Sequence, residues 1–156
     1  MKYRIIILTL LLAAFWGCET FSGKSVTETV NIENTYSELY VSDASDIEGE
    51  INVEKLIIHL ANASDAQLTG HVGELTLNFK NASSIKKNII GQRYGLSCDN
   101  CDVALEDASN AYIHCDGTIR VIELSGASDL HYTGNAEIIL TGGTPPSSSD
   151  IKHDIL

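Results

Sequence analysis

Leu56-Ile57-Ile58-His59-Leu60-Ala61-Asn62-Ala63-Ser64-Asp65-Ala66 is the stretch from which the fold can be read. Its first half places apolar residues at every second position, the pattern of a strand with one buried face. Its second half reads apolar, any, Asp/Asn/Gly, Ala, Ser, polar, apolar, and this seven-position pattern recurs along the chain. The copies are Val41 to Ile47, Leu60 to Ala66, Phe79 to Ile85, Leu105 to Ala111 and Leu124 to Leu130. Their alanines, Ala44, Ala63, Ala82, Ala108 and Ala127, are spaced by 19, 19, 26 and 19 residues; a looser copy, Ser147-Ser148-Ser149-Asp150-Ile151, follows. The apolar positions ahead of the motif keep the same step. Leu56, Ile58 and Leu60 map onto Leu75, Leu77 and Phe79, and Val103 and Leu105 map onto Ile122 and Leu124.

No stretch after Cys18 sustains a 3.6-residue apolar period over three turns, and Gly and Asn punctuate every repeat, so helices are disfavoured. Equivalent short strands at fixed spacing, without Asn-Gly or Asp-Gly hairpin turns between them, predict parallel stacking. The expected fold is all-β, a parallel β-helix (solenoid) of about six short coils over residues 25–156. Each coil adds a layer at about 4.8 Å, and inward side chains stack into a core that no single repeat could bury. Leu56, Ile58, Leu75, Leu77, Phe79, Ile122 and Leu124 are expected inside. The alanine column suits a turn where two legs of the coil approach closely. Ser45, Ser64, Ser83, Ser109 and Ser128 should form a hydrogen-bonded ladder, preceded in the same style by Asp43, Asn62, Asn81 and Asp107. The long repeat between Ala82 and Ala108 carries Lys86, Lys87 and Arg93 and reads as a bulging loop.

The 156 residues hold 10 Lys and Arg against 21 Asp and Glu, a formal net charge of −11. Phosphate neutralisation needs clustered cations, so nucleic acid is excluded as a partner. At the N-terminus, Lys2 and Arg4 precede an apolar run from Ile5 to Trp16, interrupted only by Thr9 and followed by Gly17 and Cys18. As a helix the run covers only ~18 Å, short of a ~30 Å hydrocarbon core. The layout is that of a secretory signal over residues 1–17, and a small residue before cysteine resembles a bacterial lipobox. Cys18 is then the expected lipidation site, with residues 18–24 as a tether. Its mature chain would carry 8 basic against 21 acidic residues, so the acyl chains must do the anchoring to the membrane.

The segment Leu124-Ser125-Gly126-Ala127-Ser128-Asp129-Leu130-His131-Tyr132-Thr133-Gly134-Asn135 resembles the signature of the head GIN domain family of auto-transporter adhesins. Tyr36-Ser37-Glu38-Leu39-Tyr40-Val41-Ser42 resembles that family's entry strand, and Ser148-Ser149-Asp150-Ile151 its terminal repeat. The resemblance covers about residue 25 to the end. It implies a right-handed parallel β-helix in a secreted or lipid-anchored bacterial envelope protein, with the outer membrane as the expected location.

Candidate chemistry is sparse. Cys98, Cys101 and Cys115 lie in an exported chain, where oxidation is permitted. A lone Cys-x-x-Cys without a second pair favours a structural disulfide over metal or redox chemistry. Cys98 and Cys115, about one coil apart, could face each other on adjacent layers, leaving one thiol over; the connectivity stays open. The recurrent serine performs the same structural task in every coil, so no nucleophile is singled out. Six short coils also leave no room for the loops of a catalytic cleft, so no enzyme is expected. Asp46 and Asp65 should sit one layer apart and repel unless solvated or bridged by a cation. Calcium is the ion such a column would take, but neither a Gly-Gly-x-Gly-x-Asp repeat nor an EF-hand loop is present. No metal ligands or cofactor are therefore assigned. Counting alternation outward from the turn, Tyr112 and His114 point out on one layer, and His131 and Thr133 occupy the same columns one coil later. Glu48 and Gln67 fall in the Tyr112 column in earlier coils. This face is the candidate surface for a glycan or a surface-protein loop. The expected function is non-catalytic adhesion or ligand binding. The alternative is a self-associating envelope scaffold, disfavoured if an irregular Val26 to Tyr40 segment and Pro145-Pro146 cap the two ends.

Overall fold

Two consecutive residues in the left-handed region turn the chain at the end of each repeat. In the computed structural model, which describes residues 3–7, 27–32, 36–145 and 147–156, Asp43 and Ala44, Asn62 and Ala63, Asn81 and Ala82, and Asp107 and Ala108 all have φ between 56° and 63°. Gly126 and Ala127 repeat the pair at 64° and 63°. Asp, Asn and Gly tolerate this region, and alanine carries the smallest β-carbon that can follow them there. The five alanines are exposed, so the turn conformation selects them, not the close approach of two legs of the coil that the repeat suggested.

Each turn sits on the next through its backbone. The N–H of Ala44 donates to the Asn62 carbonyl at 2.9 Å, and Ala63 to Asn81 and Ala82 to Asp107 at 2.8 Å each. The serine ladder forms as expected. The hydroxyls of Ser64, Ser83 and Ser109 donate to the carbonyls of Ala61, Lys80 and Glu106 at 2.7, 2.9 and 2.7 Å. The hydroxyls of Ser83, Ser109, Ser128 and Ser149 accept the backbone N–H of the serine one layer before, from Ser64 onto Ser83 (3.3 Å) to Ser128 onto Ser149 (3.2 Å). A buried hydroxyl that both donates and accepts has no unmet demand. Outside it, Asn62 donates to Asp43 and Asn81 to Asn62, both at 3.0 Å.

Between the turns lie the strands, numbered in chain order: β1 (Tyr3–Ile7), β2 (Thr27–Ile32), β3 (Tyr36–Val41), β4 (Asp46–Leu60), β5 (Asp65–Phe79), β6 (Ser84–Ile85), β7 (Ile89–Ile90), β8 (Arg93–Tyr94), β9 (Leu96–Leu105), β10 (Asn110–Leu124), β11 (Asp129–Thr133), β12 (Glu137–Leu140) and β13 (Asp150–His153). All pair in parallel except the antiparallel hairpin β7–β8. The result is a β-solenoid of about six turns with no helix among the described residues, and so none long enough to cross a membrane. β4 and β5 show the register plainly: Asp46 opposes Asp65 and Leu60 opposes Phe79, a constant offset of one repeat. The register stacks Leu56, Leu75, Cys101 and Ile119 into one inward column and Leu60, Phe79, Leu105 and Leu124 into another, all buried.

Two expectations are corrected here. Ile122 is 45% exposed. The β9–β10 register shifts between Val121 and Glu123, so Val121 opposes Val103 and takes the inward place. One extra residue flips the alternation and leaves Ile122 and Glu123 both outside. The first layer is also not an irregular cap: β2 and β3 pair with β4 in regular register. At the other end, Pro145 follows β12, whose outer edge is joined by no strand among the described residues. The expected lipidation site Cys18 and the expected 18–24 tether lie outside the described residues, as does most of the segment 1–17 expected as a signal; within it Tyr3–Ile7 is strand β1, paired with β3.

Candidate functional site

Alternation and register together place the outward side chains of one flank in columns. Glu48 opposes Gln67 on β4 and β5, and both are exposed. The column continues through Lys86, which follows the short strand β6, to Tyr112, His131 and Lys152. His114 opposes Thr133 in the neighbouring column. The structure therefore aligns all six candidate residues on one flank, as the repeat spacing predicts. Tyr112 and His131 stack with ring centroids 4.6 Å apart and planes within 18°.

The flank is less open than alternation alone suggests. The long repeat leaves its layer after β6, forms the hairpin β7–β8 and folds back over the later coils. It brings Tyr94, fully buried, edge-on against Tyr112 at 5.4 Å. Its N–H donates to Thr133 Oγ1 at 3.3 Å, and its hydroxyl donates to Asp154. Asp154 also pairs with His131 Nδ1 at 2.9 Å, and His114 Nδ1 meets Thr133 Oγ1 at 3.0 Å. Thr133 is thus only 2% exposed, and Tyr112, His114 and His131 are half-buried. Burial and the Asp154 carboxylate push the Tyr94 hydroxyl well above its ordinary range. Burial alone would raise the Asp154 carboxyl; the bonds from Tyr94 and His131 outweigh it and hold the group below its usual value. Glu48 and Gln67 remain the openly exposed end of the flank.

The carboxylate column is bridged by ammonium groups. Lys86 Nζ lies 3.4 Å from Asp65 and 4.0 Å from Asp46, and Lys152 Nζ lies 3.7 Å from Asp129 and 3.5 Å from Asp150. These lysines place positive charge between the carboxylates of neighbouring layers. Among the described residues no cluster of three or more His, Cys, Asp or Glu is placed to hold a metal ion. Cys98 and Cys115 do oppose each other in the β9–β10 register, with Cys101 in the same core, and all three are buried free thiols. Hydrogen bonding with Cys101 and burial push the Cys98 thiol far up, and Cys98 with burial does the same for Cys115. Thiols so held are poor nucleophiles.

On a different flank, a shallow groove of about 330 Å³ is lined by residues that include Lys55, Glu74, Thr76, Asp102, Arg120 and Ile139. Lys55 and Glu74 pair at 2.8 Å, and Arg120 pairs with Asp102. Nothing in the period-two pattern marks it, because concavity leaves no trace in alternation. Residues 19–136 match the family model described as "Putative auto-transporter adhesin, head GIN domain". No curated protein and no solved structure matches the chain.

Proposed function

Because the chain belongs to the head GIN domain family of adhesin-like proteins, we propose that it is a non-catalytic, exported envelope protein. In this reading it is lipid-anchored at Cys18, and one flank of its solenoid binds a glycan or a loop of a surface protein. Family membership supports an adhesin-like role at the cell surface or envelope. The observation that carries the binding site is the stacking of layers that aligns Glu48, Gln67, Tyr112 and His131 along one flank. Side chains fixed by a sheet lose little freedom on meeting a ligand, and polar groups beside an aromatic ring suit a hydroxyl-rich partner.

The test is a glycan and surface-protein array probed with residues 19–156, alongside cell fractionation of the full chain and its Cys18→Ser variant. Glu48→Ala with Gln67→Ala should reduce binding without changing the melting temperature. Tyr112→Ala, His114→Ala and His131→Ala together should reduce it further and loosen the hairpin. Thr76→Ala, Asn78→Ala and Glu123→Ala, on other columns, should leave binding intact. Equal effects from all three sets would reject the flank, and an acyl label absent from the full chain, or equal on the full chain and Cys18→Ser, would reject the anchor. A second reading, end-to-end self-association into a scaffold, draws on the regular first layer of β2 and β3 and the open outer edge of β12. Concentration-dependent sedimentation separates the two.

A further inference from the structure

The solenoid needs nineteen residues per layer, and the layer after Asn81-Ala82 spends seven more on the hairpin β7–β8. Those residues are not slack. Tyr94 roots the hairpin in the flank, while everything from Ile89 to Arg93 is exposed. A side chain built at Gly91, in the turn, would meet no atom within 4 Å, so the tip stands in open space. It carries two adjacent aliphatic residues, Ile89 and Ile90, 46% and 49% exposed.

The tip is also basic on an acidic protein. Lys55, Lys80, Lys86, Arg120 and Lys152 each lie within 4.0 Å of a carboxylate. Among the residues whose side chains are described, Lys87 and Arg93 are the cations with no carboxylate within 4.0 Å, Lys87 acting on Asp154 only from farther off, and they flank the two isoleucines. Exposed cations bracketing exposed aliphatics complement one kind of surface: anionic headgroups over hydrocarbon.

We propose that the β7–β8 hairpin is a membrane-contact element, with Lys87 and Arg93 on anionic lipid headgroups and Ile89 and Ile90 in the boundary beneath them. The acidic remainder of the solenoid is repelled by the same headgroups, and the hairpin is where that repulsion reverses. Contact at this tip would hold the solenoid close to the bilayer instead of leaving it free at the end of a tether. The inference does not depend on acylation of Cys18, and residues 19–156, which hold every buried core residue described, separate the two.

The experiment is co-sedimentation of residues 19–156 with vesicles of phosphatidylcholine alone or of equal parts phosphatidylcholine and phosphatidylglycerol. Binding is expected only to the anionic vesicles and should weaken as salt screens the cations. Lys87→Glu with Arg93→Glu should lower it at least about tenfold, and Ile89→Asn with Ile90→Asn should lower it at low and high salt alike. Both variants should keep the parent far-UV spectrum, since all four side chains are exposed. No preference for anionic vesicles, or binding unchanged in both variants, overturns the proposal. So does self-association without vesicles that the same variants abolish, which would give the tip to a second copy of the chain. Failure here leaves the Glu48 and Gln67 array result untouched, because none of the four residues belongs to that column.

Discussion

At the scale of single residues, the repeat is a conformational rule more than a packing rule. Ala63 is exposed and has a φ of 60°, so its neighbours tolerate bulk but its backbone does not. Ala63→Val should therefore cost at least about 1 to 2 kcal/mol despite its exposure, because a β-branched side chain is a severe misfit in the left-handed region. Ala63→Gly should stay within about 1 kcal/mol of the parent. Urea denaturation of the two variants reads the difference, and equal losses would return the column to a packing explanation. The core makes the contrast: Leu77 is fully buried, and Leu77→Ala should cost about 2 to 5 kcal/mol, since stacked layers cannot close around the hole. The alanine column itself was plain in the sequence. Its cause was harder to see, because a small residue serves a tight contact and a left-handed turn equally well.

At the scale of the element, the hairpin decides how the candidate flank behaves. Its latch is the trio of Tyr94, Asp154 and His131, and Tyr94→Phe removes the hydroxyl that serves the carboxylate. A hydrogen bond to a charged group contributes about 1.5 to 3 kcal/mol, so the variant should melt earlier and exchange the β7–β8 amides faster. The sign of the pH dependence follows from Asp154. Its folded value lies below the unfolded one, so its contribution is present above about pH 4, the ordinary carboxylate range. It is lost as pH falls through the lower folded value. The gap between parent and Tyr94→Phe should accordingly hold at neutral pH and close under more acid conditions; a constant gap to low pH would break the assignment. The register of Tyr112 over His131 was legible from spacing alone. The covering of that register was not, because Tyr94 reaches Thr133 and Asp154 across 39 and 60 residues, a fold-back that no local period encodes. Ile122 failed for a related reason: a bulge is a one-residue event inside an otherwise intact alternation.

At the scale of the whole molecule, every layer contacts mainly its two neighbours, so stability accumulates layer by layer. Removing Ile47 to Asp65 joins Asp46 to Ala66 and keeps all remaining columns in register. That chain should retain a β-rich far-UV spectrum and a cooperative melt at a lower temperature. Removing only Ile47 to Leu56 breaks the offset and should abolish cooperative melting; circular dichroism on both chains checks this, and similar melts would contradict a register-driven fold. The constant offset also bears on how such a molecule can lengthen. A tandem duplication of nineteen codons, begun at any point of a regular layer, inserts one more layer whose donors and acceptors meet copies of the partners they already had. No new interface has to be invented for the insertion to fold. The one stretch that copying could not repeat so quietly is the twenty-six-residue layer, since a second hairpin would arrive with no second Asp154 to hold it.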